Sequence, residues 1–287
     1  MGNAIRSRLL YQQTYQALLP AIQDERECQA ITQQLLEHYY ELGAVQIVLD
    51  ESITPPPTQE KLLAVAINRL RKQEPIQYVL GEAFFLGRCF QVSPAVLIPR
   101  PETEELVRYI IAKNPQAGAR VLDIGTGSGC IAITLEKELY KATVHALEVA
   151  PEALCMAQVN AQQLDAVIHW IQADILNESL PNQRWDIIVG NPPYVRISEK
   201  TQMHRRVWAH EPARALFVPD ENSLLFYKKI IALAPQHLTP AGKLYLEINE
   251  AMGAAVARLF IDAGFDEVSV EQDLHGKNRW VEGTLSF

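Results

Sequence analysis

Two hydrophobic rhythms divide this chain. Up to about residue 75, apolar side chains return every three or four positions. Cys28, Ile31, Leu35, Leu36, Tyr39 and Leu42 make one stripe, and Leu62, Leu63, Ala66, Ile67 and Leu70 another. That spacing puts each set on one face of an amphipathic helix, and such faces bury one another in a small bundle. Pro55-Pro56-Pro57 breaks the pattern, and Thr58 is the expected N-cap of the second helix. Residues 75–98 change character: Tyr78-Val79-Leu80-Gly81, Phe84-Phe85-Leu86-Gly87 and Cys89-Phe90-Gln91-Val92 are short apolar runs punctuated by glycine, as in a hairpin. Pro94, Pro99 and Pro101 then stiffen the approach to a helix expected to begin near Glu102.

From residue 119 onward, continuous apolar runs alternate with helical stripes. Strands are expected at 120–124, 143–148, 167–172, 185–190, 243–248, 266–271 and 279–285, and helices at 129–139, 151–164, 223–237 and 250–263. Runs such as Val121-Leu122 and Ile187-Ile188-Val189 lack polar alternation, as parallel strands covered on both faces do. The last two strands follow one another with no helix between them, so one of them runs antiparallel. The expected fold class is α/β, a seven-stranded Rossmann-like sheet preceded by a helical domain. The boundaries read as a helical bundle at 1–74, a β-hairpin linker at 75–100 and the α/β domain at 101–287.

Composition narrows the function classes. A 287-residue chain with 48% hydrophobic and 21% charged residues is ordinary globular protein, and its formal net charge of −8 argues against non-specific wrapping of nucleic acid. Cys28, Cys89, Cys130 and Cys155 form no CxxC pair, which suits a reducing cytosol and gives neither a disulfide framework nor a zinc site. No apolar stretch approaches the roughly 20 residues of a membrane span. The N-terminus lacks a signal layout, and Arg6 spoils the myristoylation pattern that Met1-Gly2 opens. A soluble cytoplasmic protein is expected. The seven histidines suggest no metal site; His204 and His210 flank Trp208 in an expected loop. No Ser-His-Asp arrangement suggests hydrolysis.

Two strand ends carry candidate chemistry. Gly125-Thr126-Gly127-Ser128-Gly129 turns the first strand of the α/β domain into a helix, where glycines allow close backbone approach and helix N–H groups stay unpaired. Glu148 ends the next strand, placed to accept two ribose hydroxyls, and Asp174 ends the third, placed to accept an adenine amino group beside apolar Ile175. A dinucleotide fingerprint wants a further glycine three places after Gly127, where Cys130 stands. S-adenosylmethionine, with ribose and adenine but no phosphate, fits better. At the end of the fourth strand, on the same rim, stands Asn191-Pro192-Pro193-Tyr194. An amide or aromatic amine nitrogen is a weak nucleophile because its lone pair is delocalised. The Asn191 side-chain oxygen and the Pro192 carbonyl can each accept one N–H, prolines stiffen the loop, and Tyr194 can cover a flat group by stacking. Methyl transfer to nitrogen follows, with Asn191, Pro192 and Tyr194 as catalytic candidates and Pro193 completing the substrate-binding loop.

With those residues in place, the chain resembles the bacterial peptide chain release factor glutamine methyltransferases of the PrmC/HemK type. The resemblance spans roughly 74–285 and is densest at Pro75-Ile76-Gln77-Tyr78 with Gly81, at Leu97-Ile98-Pro99-Arg100-Pro101-Glu102-Thr103-Glu104, at the two loops, at Glu211-Pro212 with Ala215-Leu216, and at Asp273-x-x-Gly276-x-x-Arg279. It implies a class I S-adenosylmethionine-dependent methyltransferase domain that yields S-adenosylhomocysteine. It also implies N5-methylation of the glutamine in the Gly-Gly-Gln motif of release factors. The glycine loop, Glu148, Ile175 and Asn191 would contact the cofactor, and the helical domain would grip the factor. Arg100 and Glu102 are expected to pair, or to tie the linker to the catalytic domain. Family resemblance favours a monomer, with no membrane and no direct nucleic-acid binding. Glu148 stands where Asp is common, Asn249-Glu250 departs from the family's usual Gly after Glu247-Ile248, and Phe217–Asn222 lacks the usual glycines. The first ~70 residues match no motif. Two other readings share the Asn-Pro-Pro-Tyr loop: a DNA or RNA amino methyltransferase, which would bring a basic recognition region, and a ribosomal-protein glutamine methyltransferase, which lacks the Pro-Arg-Pro-Glu-Thr signature. A non-catalytic module on the same fold would fail to bind S-adenosylmethionine.

Overall fold

A computed structural model describes residues 4–285. The chain forms two compact units, Met1–Glu82 with Arg205–His210, and Ala83–His204 with Glu211–Phe287.

The first unit is built around helices α1 (Ser7–Ile22), α2 (Glu25–Tyr40), α3 (Ala44–Leu49), α4 (Pro57–Arg71) and α5 (Ile76–Leu80). The stripe on α2 is buried at Cys28, Ile31, Leu35 and Leu36, and Leu42 is buried just beyond the helix end. On α4, Leu63, Ala66 and Leu70 are buried, while Leu62 faces outward. Asp24 caps α2 by accepting from the Glu27 N–H at 2.7 Å. Arg69 closes the α4–α5 corner: Nε and Nη2 donate to Glu74 at 2.8 and 2.6 Å, and Nη1 and Nη2 also donate to the Val79 and Tyr78 carbonyls.

Three local expectations are corrected in this unit. Thr58 does not cap α4; the helix opens at Pro57 with Pro56 as its N-cap and no capping side chain. Proline at the first helical position has a preset φ and no N–H that needs a partner. Tyr78-Val79-Leu80 belongs to α5, which Gly81 ends at φ 79°, and not to a hairpin strand. A run this short has no period that would separate a strand from a buried helical turn. The segment around Trp208 is not a loop but holds a short helix, Arg205–His210, whose Arg206 pairs with Glu27 and donates to Gln73 Oε1 at 3.3 Å.

From Ala83 on, the second unit holds the expected hairpin, Glu82–Phe85 and Arg88–Gln91, turning at Leu86-Gly87 with φ 47° and 76°. Positive φ at both central residues matches the twist of the flanking strands. The helices α6 (Pro101–Lys113), α7 (Cys130–Glu138) and α8 (Pro151–Gln163), then α9 (Leu225–His237) and α10 (Gly253–Asp262), pack on a seven-stranded sheet. Its strands are β1 (Arg120–Ile124), β2 (Thr143–Glu148), β3 (Ile168–Gln172), β4 (Trp185–Gly190), β5 (Leu238–Glu247), β6 (Asp266–Gln272) and β7 (Asn278–Thr284). The spatial order is β6-β7-β5-β4-β1-β2-β3, with β7 antiparallel to both neighbours and the rest of the ladder from β5 to β3 parallel. Alternate strand residues serve opposite faces: Val121, Ile187 and Val189 pack with α6, α7 and α8, and Leu122, Ile188 and Leu246 with α9 and α10. Burial on both faces is why these strands read as unbroken apolar runs. The main difference from expectation is β5, which starts at Leu238 and shifts register before Lys243. Among the described residues, no helix is long and apolar enough to cross a membrane.

Candidate active site

Register brings the candidate residues together. Ile124 pairs with Leu147 and with Gly190, Glu148 with Gln172, and Leu246 with Gly190. Parallel strands aligned this way end along one edge, so the residues after them share a rim, where ligands bind in open α/β sheets. On it stand Gly125 after β1, Glu148 ending β2, Asp174 after β3, Asn191 after β4 and Glu247 ending β5.

At the glycine junction, the N–H groups of Gly125 and Thr126 both donate to the Leu147 carbonyl, at 2.8 and 3.0 Å. Gly125 and Gly127 have φ of 76° and 55°, and a Cβ on either would meet nothing within 4 Å. Bare backbone therefore borders open space at both. Gly129 differs: a Cβ there would strike Ile133 Cδ1 at 2.9 Å, so this glycine serves helix packing. Beneath the loop, Thr126 Oγ1 donates to buried Asp123 Oδ2 at 2.6 Å, and burial pushes the Asp123 carboxyl up to about 7. Glu148 Oε2 accepts the Gly127 N–H at 3.0 Å and Oε1 the Ala150 N–H at 2.9 Å. Each of these oxygens retains a second acceptor site for a hydroxyl. Asp174 holds its own turn, accepting from the Leu176 N–H at 2.9 Å and from Asn177 Nδ2 at 2.7 Å.

A cavity of about 270 Å³ opens here. Its walls include Gly125, Thr126, Gly127, Ser128, Glu148, Asp174 and Ile175 on one side, and Asn191, Pro192 and Pro193 on another. The Leu97–Arg100 stretch and Thr103 close a third side. Gly129 and Tyr194 stand outside this lining. Tyr194 is half-buried against the α9 and α10 core, with its hydroxyl 3.5 Å from Glu247 Oε1, and burial raises its phenol above the usual value. The cavity suits an adenosine-bearing ligand such as S-adenosylmethionine: bare glycine backbone, a carboxylate on the next strand, and apolar Ile175 with Asp174 after the third.

Behind the cavity lies a set of bonds whose pairings the sequence does not give, although several of its residues stand in the motif segments named above. Asn191 Nδ2 donates to Thr103 Oγ1 at 3.2 Å, and Thr103 Oγ1 donates to Glu247 Oε2 at 2.6 Å. Glu247 is 1% exposed, and burial pushes it up to about 7 against the pull of the Thr103 bond. Arg100 does not pair with Glu102; its Nη2 meets buried Glu211 Oε1 at 2.5 Å, while Glu211 Oε2 accepts the Ile98 N–H at 3.2 Å. The Glu211-Pro212 segment thus clamps the Pro99-Arg100 wall. Asn160 of α8 ties the hairpin to the glycine loop, exchanging bonds with the Gln91 N–H and carbonyl at 2.7 and 2.9 Å and donating to the Ser128 carbonyl at 2.9 Å. Asp273 closes the β6–β7 turn, accepting from the His275 and Lys277 N–H groups and from Arg279 Nε. A weaker signal for Thr103 and Asn160 was present. Thr103 falls in phase with buried Leu106, Val107 and Ile110, and Asn160 with Ala153 and Ala157. A polar residue on an apolar stripe is a buried one, and a buried one needs partners. Among the described residues, no group of three or more His, Cys, Asp or Glu could hold a metal ion.

Residues 103–216 match the family described as Methyltransferase small domain, and residues 10–81 match the PrmC N-terminal domain. The second match corrects the reading that the N-terminal segment carries nothing recognisable. The release factor glutamine methyltransferase of Flavobacterium psychrophilum is 41% identical over 95% of this chain and 97% of its own. That of Bacteroides thetaiotaomicron is 46% identical over 83% of this chain and 86% of its own. Among solved structures, a Pyrococcus furiosus methyltransferase superposes with a TM-score of 0.52 at 20% identity, covering 70% of this chain and 91% of its own. A Thermus thermophilus 16S rRNA methyltransferase, solved with AdoMet and guanosine, gives 0.52 at 18% identity over 71% of this chain and 49% of its own. The structural likenesses show the fold alone, the α/β sheet that these methyltransferases share with this chain; the sequence relatives show the family, and the chain belongs to the release factor glutamine methyltransferases.

Proposed function

We propose that the protein methylates the side-chain amide nitrogen of the glutamine in the Gly-Gly-Gln motif of peptide chain release factors. The observation that carries this reading is the Asn191 carboxamide on the cavity wall, with its Nδ2 bonded to Thr103, which leaves Oδ1 to accept from an incoming donor. When bound, S-adenosylmethionine supplies a methyl group on a sulfonium sulfur and leaves as S-adenosylhomocysteine. Glu148 and residues 125–128 would hold the ribose side, and Asp174 and Ile175 would hold the adenine. Asn191 Oδ1 and the Pro192 carbonyl accept the two hydrogens of the glutamine NH2 group, fixing its plane. The amide nitrogen becomes acidic as the new N–C bond forms, so its proton leaves afterwards and no strong base is needed beforehand. Orientation of this kind can supply up to about 7–11 kcal/mol of a barrier when the geometry is near ideal. The helical unit grips the release factor. The formal net charge of −8 supports a protein substrate over a polyanionic one.

The test is transfer of labelled methyl from S-adenosylmethionine to a purified release factor, beside the same factor with its Gly-Gly-Gln glutamine changed to alanine. Label on the first and none on the second is expected. Label on both would move the site elsewhere on the factor, and label on neither, with the cofactor bound, would redirect the search to ribosomal protein or nucleic acid.

A further inference from the structure

A carboxamide is nearly symmetric in shape and opposite in function at its two ends, since the oxygen accepts and the NH2 group donates. Glutamine methylation, the reading on which this inference rests, requires Asn191 to present oxygen to the substrate NH2. A flipped Asn191 would set donor against donor. Nothing in the Asn-Pro-Pro-Tyr loop itself chooses between the two.

The choice is made behind the loop. An ionised carboxylate only accepts hydrogen bonds, and a hydroxyl has one proton. The Thr103 proton is therefore committed to Glu247 Oε2, at 2.6 Å. That leaves the Thr103 oxygen as an acceptor, and only the NH2 end of Asn191, at 3.2 Å, can satisfy it. We propose that Glu247, acting through Thr103, is a positioning residue that sets the flip of Asn191 and so aligns the methyl acceptor.

The buried acids differ in their partners, and Glu247, like Asp123 and Glu148, is held without an arginine. Glu211 is paired with Arg100 and Asp273 with Arg279, each a holding contact between segments. Among the described residues Glu247 has no ion pair; its side chain is bonded to Thr103 and, at 3.5 Å, to Tyr194. A carboxylate buried without a cation is costly, so its presence here points to a use for the charge. Six groups face it: Arg100 and Glu102 at the start of α6, Cys130 opening α7, Tyr194 after β4, Tyr227 of α9, whose hydroxyl donates to the Glu247 carbonyl at 3.0 Å, and Arg279 of β7. Burial and Glu102 favour the neutral acid, while Thr103 and the two arginines favour the carboxylate, which leaves the group at about 7. Protonated, Glu247 can donate to Thr103, and the Thr103 proton is then released to hold Asn191 in the flipped state. Turnover should accordingly rise as pH passes through about 7.

The experiment compares the wild type with Glu247→Gln, Thr103→Val and Thr103→Ser. It measures kcat for release-factor methylation across pH and the S-adenosylmethionine Kd by calorimetry. Gln can donate as well as accept, and Val can do neither, so both variants release the flip. Each should lose on the order of 10- to 100-fold in kcat with the cofactor Kd little changed. Thr103→Ser should recover most of the loss, and the rising limb near pH 7 should be absent in Glu247→Gln. Wild-type kcat and an unchanged pH limb in Glu247→Gln would overturn the proposal. So would equal turnover in Thr103→Val and Thr103→Ser, which decides the matter by itself if Glu247→Gln does not fold. A wild-type enzyme that binds the cofactor yet leaves the release factor unmethylated counts against the substrate assignment and is distinct from either result.

Discussion

Among the described residues, the helical unit buries hydroxyls without carboxylates, and the sheet unit buries carboxylates as well as hydroxyls. In the first, the buried polar side chains among the described residues are hydroxyls, Ser7, Thr14 and Thr32; Ser7 donates to the Gln46 carbonyl and Thr32 to the Cys28 carbonyl. In the second, five carboxylates are buried among the described residues: Asp123, Glu148, Glu211, Glu247 and Asp273. A hydroxyl returned to a backbone carbonyl costs little, whereas a buried carboxylate costs several kcal/mol unless fully bonded. The sheet unit meets that cost unevenly. Arginines hold Glu211 and Asp273, backbone N–H groups hold Glu148, and mainly hydroxyls hold Asp123 and Glu247. The last two are the pair pushed to about 7. Helix packing needs only apolar area, while the rim spends stability to hold acceptor groups in fixed directions.

That contrast can be broken first on the apolar side. Leu35 is fully buried in the helical core, so Leu35→Ala should destabilise that unit by about 2–5 kcal/mol. Hydrogen exchange in α1–α5 should report the loss, while the S-adenosylmethionine Kd stays unchanged. A matching loss of cofactor affinity would mean that cofactor binding depends on the helical core as well as on the rim.

The acids predict a pH trend with a defined sign. Asp123 and Glu247 have folded pKa values raised to about 7, so the folded state holds their protons more tightly than the unfolded chain. Their stabilising contribution is full below the ordinary carboxylate range and is lost as pH rises through about 7. Each can cost on the order of 3 kcal/mol once ionised. Exchange protection in β1 and β5 should fall between about pH 5 and pH 8, and Asp123→Asn should flatten the trend. The helical unit offers the opposite sign: Arg69 holds the Glu74 carboxyl below its usual value, so that contribution is lost at acid pH. Protection that rises with pH in β1 and β5 would contradict the assignment.

Gly127→Ala should have a smaller effect. Alanine at φ 55° costs about 1–2 kcal/mol, and its methyl would enter the open space beside the loop. Cofactor affinity should drop roughly tenfold with little change in melting, and an unchanged Kd would remove Gly127 from the binding wall. Asp24→Ala, which removes only the α2 cap, should cost about 1 kcal/mol in the helical unit and nothing in turnover.

Local physics decided what was legible in the chain. Val121-Leu122 and Ile187-Ile188-Val189 announced parallel strands because burial on both faces removes polar alternation, and the glycine and Asn-Pro-Pro-Tyr junctions marked where those strands stop. Tyr78-Val79-Leu80 was ambiguous because one helical turn and one short strand have the same apolar content. Arg100 was expected to pair with its neighbour Glu102 or to tie the linker to the catalytic domain, and neither reading named its partner Glu211, which arrives from 111 residues away. Thr103 and Glu247, 144 residues apart, meet only because α6 and β5 pack together, and no spacing rule reaches that far.

The measurement closest to the central claim is single-turnover methylation by Asn191→Ala, with the S-adenosylmethionine Kd determined on the same preparation. If the rim works by orienting the acceptor amide, the rate should fall on the order of 100-fold or more while the cofactor Kd moves only slightly. An unchanged rate, or a rate loss wholly explained by weaker cofactor binding, would contradict that claim.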